Sequence, residues 1–220
     1  MRARPLGADV QNALDFLAAS ELALYTNQVS LTSTRLSWRD YGSGTGFLRA
    51  RGPATVEQYL AWVRGGEYSG ALRDGSLLQI TYDVQEDVVV GHRLAYVPCP
   101  VIVDEEWLTE GEPIADVVSV SLDDVGGVTL RTPVRFDFDA AAARPGHPAA
   151  HFSINSDDCR VACIAPLHPY RFVDFVYRHF YPRYRRVHES WFESASRRRL
   201  GNRVIGDADR ETVHLAWPAD

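Results

Sequence analysis

Lysine is missing altogether: all 23 basic residues are arginines. That excludes a Schiff-base lysine and the lysine of a phosphate-binding P-loop, and it makes every fixed cation a planar guanidinium. Cysteine is scarce. Cys99, Cys159 and Cys163 are too few, and odd in number, for a disulfide framework. No apolar run is long enough to span a bilayer. The start, MRARPLGADVQNALDF, has arginines but no continuous hydrophobic stretch, so no signal peptide is read there. The expected compartment is the cytoplasm, with no membrane contact. There is no internal repeat and no low-complexity tract. Base does not outweigh acid: the formal net charge is −6, which argues against a protein coated by non-specific nucleic acid.

What is present is an ordinary globular composition, 45% hydrophobic and 24% charged over 220 residues. This suits a single α+β domain, residues 1–220. It divides into an N-terminal helical part (about 8–66), a β-rich core (about 76–165) and C-terminal helices (about 168–200). Asp9 to about Tyr25 has helical spacing at Val10, Ala13, Leu14 and Leu17, with Asp9 as a plausible N-cap. Thr34 to Tyr41 alternates as a strand before the run Gly42-Ser43-Gly44-Thr45-Gly46. Thr55-Val56-Glu57-Gln58 has the form of a capping box and opens a helix that Gly65-Gly66 stops. LLQITYDV and VVVGHRLAYVP form a hairpin around Gln85-Glu86-Asp87, and one helical turn is expected between Asp104 and Ile114. VVSVSL and VTLRTPVRFDFD are read as strands. AHFSIN and CRVACI form a second hairpin. Pro169 starts a helix that Pro182 ends or kinks, a second helix spans about Tyr184 to Arg199, and Glu211 to Trp217 is read as a last strand. The fold class is α+β: an antiparallel sheet with helices packed on one face, an N-terminal helix and a C-terminal helical pair.

The period-two pattern from Arg131 to Arg160 carries the chemistry. Val134, Phe136 and Phe138 fall on one side, Arg135, Asp137 and Asp139 on the other. In the next strand Phe152 and Ile154 oppose His151, Ser153 and Asn155. If those strands are neighbours, an Asp beside a His fixes its tautomer, and arginines hold a phosphate. Asp137, Asp139, His151 and His147 are the candidate catalytic residues; Arg135 and Arg160 are the candidate phosphate ligands. Together they are the parts for cleaving or transferring a phosphodiester without metal or cofactor. A plain solvated sheet face is the alternative.

Other sets are weaker. His147, His151, Cys159 and Cys163 are zinc-type ligands. In a strand, however, the two cysteines stand about 13 Å apart at roughly 3.3 Å per residue. A Mg²⁺ site on Asp137 and Asp139 needs a third carboxylate, such as Asp83 or Asp157. The glycine-rich run lacks P-loop chemistry, and Cys99 between two prolines has no assignable base. Acidic residues crowd the middle of the chain and arginines the C-terminal quarter. Among these, Arg185, Arg186, Arg197, Arg198 and Arg199 are candidate partner-binding residues, and the interleaved aromatics could also stack bases.

Five segments in order, HRLAYVPCP (His92–Pro100), RFDFD (Arg135–Asp139), HPAAHFSI (His147–Ile154), CRVACIAPLHPYRFVDFV (Cys159–Val176) and RHFYP (Arg178–Pro182), resemble an uncharacterised bacterial family, domain of unknown function 2290. The family pattern places a further His two positions after the HP…H pair, where this chain has Ser153. The run RFD followed by HP…H is also similar to small bacterial toxins that act on RNA. The resemblance implies no reaction by itself. The expectation is a nucleic-acid- or nucleotide-acting component of a toxin or phage-defence operon, whose partners are an operon-encoded protein and RNA or DNA. A non-catalytic partner-binding subunit and a zinc-stabilised structural domain stay open beside it.

Overall fold

The structure is a computed structural model, and it describes residues 2–39, 48, 54–123, 131–154 and 158–217. Among the described residues nine strands form one sheet: β1 (Ala23–Thr26), β2 (Val29–Leu31), β3 (Arg35–Trp38), β4 (Gly70–Leu72), β5 (Leu77–Gln85), β6 (Val88–Val97), β7 (Val134–Asp139), β8 (Ala150–Ile154) and β9 (Val161–Ala162). They run in the order β1-β4-β5-β6-β7-β8-β9, with β3 also on β5 and β2 on β3. All these pairings are antiparallel. The β5–β6 hairpin turns through Glu86 and Asp87, both at positive φ (51° and 63°), the backbone twist that matches two right-twisted strands.

Alternation along these strands builds two cores. One face presents Leu78, Ile80, Leu94, Tyr96 and Phe136 to α1 (Ala3–Ala19), α5 (Pro169–Phe180) and α7 (Glu189–Ser196). Burial of Phe172, Val173 and Val176 on α5 is complete, worth about 1.5–3 kcal/mol per side chain. The N-terminal and C-terminal helices thus share one face, as the sequence indicates. At one end of the other face Leu77, Ala95 and Val97 meet α2 (Val56–Gly65), α3 (Glu105–Thr109) and α4 (Ile114–Leu122). The rest of that second face is polar, and it holds the candidate site.

Several elements differ from the sequence reading. α1 begins at Ala3, so Asp9 lies inside it and not at its cap. VVSVSL is not a strand: its β-branched residues sit in α4, where Ile114, Ala115, Val117 and Val118 are buried at helical spacing behind an N-cap Pro113. Cys159 lies outside β9, which is only Val161–Ala162. The second C-terminal helix is broken at His188 into α6 (Pro182–Val187) and α7. Residues 211–217 make a single bridge, Leu215 to Cys163, after the short α8 (Asp207–Arg210). The glycine-rich run 42–46, Asn155 and Asp157 lie outside the described residues. The capping box at Thr55 is present in full, with Gly66 closing α2 in the left-handed region (φ 64°).

Candidate functional site

Strand register brings the predicted residues together. Asp137 lies opposite His151, and Arg135 opposite Ser153. On the other side of β7, Arg93 of β6 lies opposite Asp137 and Thr81 of β5 opposite Arg93. One row, Thr81–Arg93–Asp137–His151, therefore crosses four strands, at the close spacing of directly opposed side chains. Arg135 is 7% exposed, Asp137 8%, His151 5% and Ser153 3%, so this is not a solvated sheet face.

A charge inside must be paired. Arg135 Nε donates to Asp137 Oδ2 at 2.6 Å, and its Nη1 donates to the Leu48 carbonyl at 3.3 Å. The Leu48 amide in turn donates to Gln79 Oε1 at 2.9 Å, so the Leu48 backbone lies over the polar face. Arg93 Nε approaches Asp137 Oδ1 at 3.7 Å while much of its side chain stays in solvent. Arg135 is thus a counter-ion inside the site, and Arg93 is the accessible cation beside the same carboxylate.

His151 is held by Nδ1, 3.1 Å from the Pro148 carbonyl. A carbonyl only accepts, so Nδ1 carries the hydrogen and, in the neutral ring, Nε2 carries the lone pair. Nε2 lies 3.6 Å from Asp137 Oδ2. Burial lowers the His151 pKa below its ordinary value. Asp137 and the Pro148 carbonyl pull it back up, while His147 and Arg160 push it further down. The ring is therefore a neutral base near pH 7, next to a carboxylate that stabilises it once protonated.

Polar atoms without a partner gather here. Among the described residues, Asp137 Oδ1, His147 Nδ1, Ser153 Oγ and Arg160 Nε are all buried without a hydrogen-bond partner. The His147 ring packs edge-on against His151, with centroids 5.1 Å apart. Each orphaned atom costs about 1–3 kcal/mol, so four in one cluster call for a ligand or water to satisfy them.

Two predicted assignments separate from this cluster. The Asp139 carboxylate accepts from the amides of Ala141 (2.9 Å) and Ala142 (3.2 Å), capping a turn at the exposed end of β7. Arg185 is not an open docking residue, because its Nε donates to the buried Asp174 carboxylate at 2.8 Å. Arg186, Arg197, Arg198 and Arg199 are exposed. The zinc-type set does not converge: Cys163 belongs to the helix-side core, and no group of three or more His, Cys, Asp or Glu among the described residues is placed to hold a metal ion. Burial pushes the Cys163 and Cys99 thiols up, which makes both poor nucleophiles. Arg93 was missed from the sequence, although the signal was there. It alternates with His92 and Leu94 in HRLAYVP, which puts it on the face of Asp137.

A model of one protein family matches residues 21–217, described as an uncharacterized conserved protein (DUF2290). The chain belongs to the DUF2290 family. No curated protein and no solved structure matches it. The match spans every element of this DUF2290 protein that builds the polar row, from β5 to β9, together with both helical layers apart from α1.

Proposed function

We propose that this DUF2290 protein is a metal-independent acid–base catalyst acting on a phosphodiester of a nucleotide or nucleic acid. The observation that carries the reading is His151: a neutral imidazole with Nδ1 fixed and Nε2 unprotonated, ringed by orphaned polar atoms and arginines. Among the described residues around it, Arg93, Arg135 and Arg160 outnumber the carboxylate of Asp137, which favours an anionic substrate.

In this reading His151 Nε2 takes the proton from an attacking hydroxyl, either water or a ribose 2′-OH. The hydroxyl oxygen bonds to phosphorus as the bond to the leaving oxygen breaks. The imidazolium, stabilised by Asp137, returns its proton to the leaving oxygen or to solvent. Arg93 and Arg160 balance the charge that builds on the phosphoryl oxygens. The toxin or phage-defence role expected from the sequence is the biological form of this reading.

The test is cleavage of RNA, single-stranded DNA and cyclic nucleotides by His151→Ala and Asp137→Asn. His151→Ala lowers kcat by about 10²–10⁴-fold at an unchanged unfolding midpoint. The wild-type rate rises through a pKa below that of free imidazole, in line with the lowered His151 pKa. A well-folded His151→Ala protein that cleaves at the wild-type rate overturns the mechanism. A partner-binding subunit is the second reading, favoured by the burial of Asp137 and His151 and by the Leu48 backbone lying over Arg135. In that case the wild type cleaves nothing, and it co-purifies with a partner through Arg197, Arg198 and Arg199.

A further inference from the structure

A second feature lies on the helix side of the sheet, away from His151. Two clefts meet between α5, α7 and the C-terminal segment. One, of about 440 Å³, is lined by Arg171, Asp174, Arg178, Ser196, Arg197 and Arg199. The other, of about 260 Å³, shares Arg171, Asp174 and Arg178 with it, but its remaining wall is mostly apolar and includes Phe136, Phe175, Leu215 and Trp217.

Among the described residues that line the first cleft are four guanidiniums and one carboxylate. That carboxylate is already committed: Asp174 accepts from Arg178 Nη2 at 3.0 Å and from Arg185 Nε at 2.8 Å. Arg171 is fixed by donating Nε to the Arg198 carbonyl at 3.0 Å, and its guanidinium carbon sits 6.0 Å from the Trp217 ring centre. Burial lowers its pKa; Asp174 opposes this and the like charge of Arg199 adds to it. Like charges held together in a partly desolvated cleft favour a polyvalent anion. The adjoining cleft, with its aromatic wall, favours a planar apolar group at the other end of the same ligand.

We infer that these joined clefts form a binding site for an aromatic base carrying phosphates, with the phosphates among Arg171, Arg178 and Arg197 and the base against Trp217 and Phe175. The ligand is either a free nucleoside polyphosphate or the end of a single strand, since both present that chemistry. The inference does not depend on the His151 reading, and binding is measured without turnover.

The experiment compares GTP, inorganic tripolyphosphate, a short oligouridylate and a polyglutamate peptide by calorimetry on the full chain. GTP or the oligouridylate is expected to bind at least tenfold more tightly than tripolyphosphate, with Kd under ~1 mM. Whichever of the two wins identifies the source. Trp217→Ala removes that preference and leaves tripolyphosphate binding unchanged. Arg197→Glu weakens both by about tenfold. Arg178→Gln, which leaves Asp174 paired with Arg185, repeats the loss if Arg197→Glu does not fold. Equal affinity for GTP and tripolyphosphate in the wild type, tighter binding of polyglutamate, or no binding at ~1 mM overturns the site.

Discussion

His92 and His151 are two buried histidines on opposite faces of the sheet, and what each ring nitrogen meets separates structure from chemistry. His92 Nε2 accepts the Leu167 amide at 2.9 Å, so its lone pair is used to fasten the start of α5 to the sheet. The His151 lone pair fastens nothing. Burial lowers the His92 pKa to about 3, and that of His168 to about 4 despite the pull of Asp9. In both, the unfolded chain binds a proton near pH 6.5 that the folded chain refuses. Their contribution to stability is therefore complete above about pH 6.5 and shrinks as pH falls toward 3–4, by at most ~1.4 kcal/mol per unit for each ring. Unfolding midpoints in urea should drop from about pH 7.5 to pH 5. His92→Gln keeps an acceptor for Leu167 and should flatten that slope; an unchanged slope assigns the effect elsewhere. The sequence alone could place His92 on the core side of its strand. It could not show which nitrogen had a partner, because Leu167 is far along the chain.

Elements with local chemistry were legible, and elements decided by distant contacts were not. Thr55 and Gln58 exchange bonds within one turn, and Pro169 presets the first turn of α5, so both helix starts could be read directly. The β7–β8 pairing that makes the site was legible too, because a period of two fixes which residues share a face. VVSVSL has strand propensity but becomes helix because α4 buries Ile114, Val117 and Val118 against α2 and the sheet. The break at His188 separates α6 from α7, and Asp174, buried in α5, draws Arg185 of α6 inward. Asp174→Ala strands Arg185, whose side chain is only 12% exposed, and should cost about 3–5 kcal/mol in urea unfolding. Adding Arg185→Leu should restore more than half of that loss. A single-variant cost under about 1 kcal/mol would mean that packing, not this ion pair, orders α6 and α7.

Across the whole molecule, charge is sorted rather than mixed. Part of the sorting is satisfied internally: Arg73 meets Glu105 at 3.2 Å, Tyr184 donates to Glu105 at 3.0 Å, and Arg131 meets Asp74 at 3.3 Å. These contacts join the acidic middle to neighbouring elements, yet Arg197 and Arg198 stay exposed at the end of α7. At physiological ionic strength fields fade over about 8 Å, so a ligand at that end responds to local arginines and not to the net charge of −6. The protein should therefore adsorb to phosphocellulose at about pH 7.5 and ~50 mM salt, despite being acidic overall, and elute by roughly 0.3 M as screening shortens. Arg197→Glu with Arg198→Glu should pass through unretained, since two reversals at one cluster change the local charge by four while the fold keeps its buried pairs. A wild-type protein that also passes through would mean that the acidic elements neutralise the C-terminal arginines at binding distance. The anion cleft and any partner docking through Arg197–Arg199 would then lose their electrostatic basis together, and the His151 row on the opposite face would be untouched.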